Sequence, residues 1–228
     1  MVALSPTKAS PWNVPNLLTS LRLLLAIAVI VLLEFSYWWV ALVAFTLAAT
    51  TDWADGYYAR KYGQITKLGR IFDPFVDKII ICGSFIALVS IPNSGIAAWL
   101  AILVTARELL VTSLRGLIEG AGGDFSASWL GKWKMVAQCA TAIISLIVVG
   151  LHDPSFFLAP DQQWLLKTLR ILLQGSVLLT VVLTVWSGMD YVLAAGKALG
   201  LDEEMGIRRD STAREIVRGG ESGKESDG

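Results

Sequence analysis

Long apolar runs separated by short polar stretches organise this chain. Runs of helical length lie near residues 17–35, 37–60, 73–91, 96–119, 130–151 and 163–199. At about 1.5 Å per residue each approaches or exceeds the ~30 Å hydrocarbon layer of a bilayer. The last run is longer than a bilayer requires and is expected to protrude into water. Pro92-Asn93-Ser94-Gly95 and Asp153-Pro154 read as turns between runs. The pattern predicts an all-α integral membrane protein with six transmembrane helices. Pro15-Asn16 ahead of the first run reads as a helix start rather than a basic leader, so that run is expected to be a retained span.

Composition supports a lipid-facing exterior. Of 228 residues, 54% are hydrophobic and 17% charged, with a mean hydropathy of +0.60. A soluble domain of this size could not hide that much apolar side chain. Nine Trp and five Tyr suit the membrane–water interface. The formal net charge is zero, which gives no electrostatic case for nucleic acid as a partner. Cys82 and Cys139 sit in apolar runs without a CxxC spacing and read as packing residues. The single histidine, His152, is assigned no role.

Basic residues set the expected orientation. Arg60, Lys61, Lys67 and Arg70 mark one loop region, and Arg115, Lys132 and Lys134 mark another. Lys197, Arg208, Arg209, Arg214, Arg218 and Lys224 mark the C-terminal tail, whereas residues 34–37 and 91–95 hold no Lys or Arg. Positive residues favour the cytoplasmic side, so both termini are expected there. The expected organisation is a juxtamembrane segment at 1–15, a six-helix catalytic domain at 16–200, and a polar, disordered cytoplasmic tail at 201–228.

The chemistry concentrates in Thr51-Asp52-Trp53-Ala54-Asp55-Gly56 and Asp73-Pro74-Phe75-Val76-Asp77. A carboxylate at the centre of a membrane helix costs roughly 2.5–3.5 kcal/mol on insertion scales, so four acids call for a cation or a wet cavity. Asp52 and Asp55 share one helix face, as do Asp73 and Asp77. Counted inward from Tyr37 and from Pro92, Asp52 and Asp77 both lie ~22 Å deep. Two antiparallel helices would therefore gather four carboxylates near the cytoplasmic boundary. An all-oxygen set without nearby Cys or His selects Mg²⁺ or Mn²⁺ over zinc. Asp73 is also expected to N-cap the third span, with Pro74 at its first helical position. A divalent-cation transporter is the competing reading from another class, but it calls for acids spread along a route rather than in one layer.

Written out, Asp52-x2-Asp55-Gly56-x2-Ala59-Arg60-x8-Gly69-x3-Asp73-x3-Asp77 resembles the signature of the CDP-alcohol phosphotransferases. The resemblance implies that family's fold and a two-metal site formed by Asp52, Asp55, Asp73 and Asp77. It implies a cytidine site of Asp52, Asp55, Gly56, Ala59, Arg60 and Gly69, with Asn16 and Thr19, and it implies Asp77 as the base for the acceptor alcohol. Pro15-Asn16-Leu17-Leu18-Thr19-Ser20-Leu21-Arg22, Ala106-Arg107-Glu108, Leu114-Arg115 and Ala127-Ser128-x2-Gly131-Lys132-x-Lys134, with Gln138, are similar to the phosphatidylglycerophosphate synthase branch. That branch implies CDP-diacylglycerol as donor, glycerol 3-phosphate as acceptor, and Arg107, Arg115, Lys132 and Lys134 on the acceptor's phosphate. An alternative for Lys132 and Lys134 is interfacial anchoring, and for Arg107 an ion pair with Glu108. Met135 and Phe72 depart from the branch's usual Thr and Leu. Cardiolipin synthase and phosphatidylinositol-phosphate synthase keep the fold and change the acceptor. A homodimer in the cytoplasmic membrane, its active site facing the cytoplasm, completes the expectation.

Overall fold

The computed structural model describes residues 14–62, 67–120, 129–155 and 163–198, and side chains within them except at 14–18, 52–62, 67–74, 119–120, 130 and 197–198. These residues form six helices: α1 Val14–Glu34, α2 Trp38–Tyr62, α3 Lys67–Val89, α4 Ala98–Gly120, α5 Trp129–His152 and α6 Gln163–Ala198. No strand occurs among the described residues. The tail and most of the N-terminal segment lie outside them.

The helices follow the apolar runs to within a few residues, with one correction. α3 begins at Lys67, so Asp73 and Pro74 stand inside the helix and Asp73 does not cap it. Pro74 is past the first turn and lacks the N–H that would bond the Arg70 carbonyl. The helix nevertheless runs through it, because the apolar stripe resumes at once with Val76, Ile80 and Ile81, all buried.

Helices α1 and α2 pack together, α1 also lies along α3, and α5 lies along α6. Among the described residues α2 and α3 share little contact, and α1 stands against both. The buried core combines small, branched and aromatic side chains such as Ala26, Val29, Ala41, Phe45, Phe85, Leu100 and Leu146. Turns at one end of the bundle are tightly tied. Asn93 (φ 63°) and Gly95 (φ 70°) turn the chain between α3 and α4, and Ser145 Oγ donates to the Ser94 carbonyl at 2.7 Å. Gly150 admits the Trp39 ring, which would stand 3.1 Å from any β-carbon placed there. Trp38 Nε1 donates to Asp153 Oδ2 at 2.8 Å, fixing the start of α2 to the end of α5.

The distribution of polarity is inverted relative to a water-soluble bundle. Leu24, Ile102, Leu178 and Leu193 face outward, while Arg22, Arg107, Lys134, Gln138, Thr141, Thr180, Thr184 and Ser187 are buried. Inside, Thr141 and Thr180 hydroxyls join α5 to α6 at 2.9 Å, as polar side chains do between helices that lipid surrounds. Among the described residues, two helical stretches, Gly131–His152 and Gln163–Gly196, are long and apolar enough to cross a membrane. Exposed Trp129 and Trp133 meet at the start of α5 with ring centroids 5.7 Å apart and planes tilted by 54°.

Candidate active site

Both aspartate pairs fall at the same end of the bundle. Asp52 and Asp55 lie in the last three turns of α2, and Asp73 and Asp77 in the first half of α3, across the connection at 63–66. Side chains of Asp52, Asp55, Gly56, Ala59, Arg60, Gly69, Asp73 and Asn16 lie outside the described set, although their helical placement is described. Asp77 is described, and 31% of its side chain is exposed. Its Oδ1 accepts from Arg22 Nη1 at 2.8 Å. Arg22 is only 2% exposed, so a guanidinium from α1 reaches through the packed interior to this carboxylate. Thr19, one turn before Arg22, is buried on α1 as well. The four acids expected from the sequence as ligands are all carboxylates, a set whose chemistry suits a hard divalent cation; among the described residues alone, no group of three potential ligands occurs.

A second polar centre is built from α4, α5 and α6. Arg107 is buried on α4, and its Nη2 donates to Ser187 Oγ on α6 at 2.9 Å. Its guanidinium carbon lies 5.4 Å from the centre of the Tyr191 ring, a cation–π distance. Glu108 Oε1 stands 3.5 Å from Arg107 Nη1 and also accepts from Lys134 Nζ of α5. Arg115, two turns along α4, donates from Nη2 to the Tyr191 hydroxyl at 3.3 Å. α3, the helix that carries Asp77, packs against both α4 and α5, which supply Arg107, Glu108 and Lys134.

The structure thus brings together Arg107, Arg115 and Lys134 and sets Lys132 apart. Lys132 is exposed, two positions from buried Lys134 and therefore on another face of α5. The Arg107–Glu108 ion pair considered from sequence is present, and Lys134 shares it. Three buried donors at this centre have no acceptor among the described residues: Arg107 Nε, Arg115 Nε and Gln138 Nε2. Gln138 is one turn from Lys134 and 1% exposed. A buried donor left unmet costs about 1–3 kcal/mol, more when charged, so the centre is poised to receive an oxygen-rich anion. Sequence reasoning missed Arg22, Ser187 and Tyr191 as parts of these centres. Only Arg22 left a signal, a lone charge inside an apolar run. Ser187 and Tyr191 look like ordinary residues of a long span.

The CDP-alcohol phosphatidyltransferase family profile matches residues 12–187. A CDP-diacylglycerol–glycerol-3-phosphate 3-phosphatidyltransferase of Bacillus subtilis is 33% identical over 64% of this chain and 80% of its own length. A protein of the same name from Cereibacter sphaeroides is 40% identical over 62% of this chain and 66% of its own length. One from Salmonella choleraesuis is 32% identical over 81% of this chain and 95% of its own.

Proposed function

The chain belongs to the CDP-alcohol phosphatidyltransferase family, and we propose that it moves the phosphatidyl group of CDP-diacylglycerol onto glycerol 3-phosphate, giving phosphatidylglycerophosphate and CMP. Relatives bearing that activity's name over most of their length support the reaction. The observation that favours a phosphorylated acceptor is the buried cationic centre of Arg107, Arg115 and Lys134 with unspent donors on Arg107, Arg115 and Gln138. Glu108 offsets one of three charges, leaving a net positive centre suited to a phosphate monoester.

The reaction is a substitution at phosphorus. The acceptor hydroxyl oxygen bonds to the phosphorus that bears diacylglycerol, and the bond from that phosphorus to the bridging oxygen breaks. CMP leaves with the electron pair, and the hydroxyl proton passes to the Asp77 carboxylate. Arg22 holds one oxygen of that carboxylate and so fixes its aim. Asp52, Asp55, Asp73 and Asp77 would hold Mg²⁺ or Mn²⁺, which when bound neutralises charge on the donor's pyrophosphate. Gly56, Ala59, Arg60 and Gly69, with Asn16 and Thr19, form the cytidine side. Arg107, Arg115, Lys134 and Gln138 hold the acceptor's phosphate, while Lys132 serves as an interfacial anchor.

All six helices cross the membrane in this reading, with both termini and the aspartates on the cytoplasmic side, in a homodimer. The apolar exterior and the buried polar residues support it. Product analysis tests the function. Purified protein given CDP-diacylglycerol, Mg²⁺ or Mn²⁺ and glycerol 3-phosphate should yield phosphatidylglycerophosphate by mass spectrometry. A product formed only with phosphatidylglycerol or an inositol phosphate would replace the acceptor.

A further inference from the structure

At the end of the bundle opposite the aspartates, α6 carries Lys167 and Arg170. In the six-span topology, on which this inference rests, that end is the outer face, where cations are otherwise scarce. Arg170 is exposed, and among the described residues neither it nor Lys167 has a carboxylate partner. Arg170 is nevertheless held in place. Its Nη2 bonds His152 Nε2 at the end of α5, while His152 Nδ1 bonds the Val148 carbonyl at 2.6 Å. The histidine thus orients the cation, and no carboxylate among the described residues cancels its charge.

Arg170 stands at the head of a groove of about 420 Å³ between α6 and the α3–α4 turn. Asn93, Arg170 and Gln174 form its polar end. Below them Leu173, Val177, Leu178 and Val181 follow at helical spacing, with Trp99 on the facing wall. A second hollow, of about 430 Å³ and lined partly by Gln163, Lys167, Arg170 and Gln174, continues the polar end toward the start of α6. From Arg170 to Val181 the groove runs ~16 Å at 1.5 Å per residue. One leaflet of hydrocarbon is about 15 Å deep.

We propose that this groove binds an acidic glycerophospholipid of the outer leaflet, its phosphate on Arg170 and Lys167 and an acyl chain along Leu173, Val177, Leu178 and Val181. Charge complementarity favours an anionic headgroup over a zwitterionic one, and the polar-to-apolar order down the groove matches a lipid's own. The site is remote from the aspartates and takes no part in transfer.

The test uses the full chain, reconstituted in nanodiscs of phosphatidylcholine containing phosphatidylglycerol, then released for native mass spectrometry. The parent should retain phosphatidylglycerol over phosphatidylcholine. Arg170→Gln with Lys167→Gln should weaken that retention about tenfold, the scale of losing a charged hydrogen-bond partner, and Arg170→Lys should keep much of it. Val177→Trp, which fills the apolar half, should remove it with both cations intact. CMP release from CDP-diacylglycerol is read in the same samples and should be unchanged in all of them. Equal retention of the two lipids, or retention untouched by every variant, would refute the lipid site and leave the transfer reaction standing. A shift from dimer to monomer in Val177→Trp would assign the groove to a second copy of the chain instead.

Discussion

Arg22 of α1 and Asp77 of α3 meet at 2.8 Å across 55 residues of sequence, and the arginine is almost wholly enclosed. α1 packs against both α2 and α3, which share little contact among the described residues. The first helix is therefore the strut between the two aspartate-bearing helices, and Arg22 is its working contact with the acid proposed as the base. An enclosed guanidinium is expensive unless paired, so the pair both closes the interior and aims the carboxylate.

Replacing Arg22 by Gln should lower kcat by tenfold or more while changing KM for glycerol 3-phosphate little, and Arg22→Lys should recover part of the loss. Asp77 is partly exposed, so the stability cost of the break is roughly 1–2 kcal/mol rather than the larger figure for a fully buried pair. Steady-state kinetics with a thermal-melt control in detergent separates the two effects. A change confined to KM would remove Arg22 from the base.

Lys134 and Arg107 share Glu108, so the cationic centre should answer as a unit. Lys134→Met or Arg107→Gln is expected to raise KM for glycerol 3-phosphate about 10–100-fold, equivalent to ~1.4–2.8 kcal/mol, with KM for CDP-diacylglycerol nearly unchanged. Gln138→Leu removes an unspent donor and should give a smaller change in the same direction. Lys132→Gln, on an exposed face, should leave both constants alone. Initial rates with each substrate varied in turn would check the four variants together.

The fold was legible where hydropathy alone decides it. The six apolar runs correspond to six helices among the described residues, because a long apolar segment shielded from water must satisfy its own backbone hydrogen bonds. The start of α3 was misread because Asp73-Pro74 has the form of a helix start, yet the helix begins at Lys67. Local capping rules cannot weigh a turn that forms ahead of the proline. The aspartates stand out in the sequence by their spacing, but only Asp77 has its side chain among the described residues. The roles of Arg22, Ser187 and Tyr191 were not legible, because their hydrogen-bond partners lie 55 to 80 residues away and only packing reveals them.

Acid should loosen the end of the bundle away from the aspartates. The Ser155 hydroxyl, then the Ser155 backbone N–H and the Trp38 indole, hold the Asp153 carboxyl below its ordinary value. A depressed folded value contributes stability above the unfolded value near pH 4, and that stability is lost as pH falls through the folded one. Thermal melts from pH 6 to pH 3 should show a steeper acid decline for the parent than for Asp153→Asn. Identical slopes would show that the tie between α2 and α5 does not depend on this charge.

The account as a whole rests on transfer to a phosphorylated acceptor. The most direct measurement is CMP release by purified protein with CDP-diacylglycerol, Mg²⁺ or Mn²⁺, and either glycerol 3-phosphate or glycerol, with Asp77→Asn alongside. Release that depends on glycerol 3-phosphate, is negligible with glycerol and is lost in Asp77→Asn is the predicted result. Equal release with glycerol, or release only with phosphatidylglycerol, would contradict the assignment of the buried cationic centre to the acceptor's phosphate.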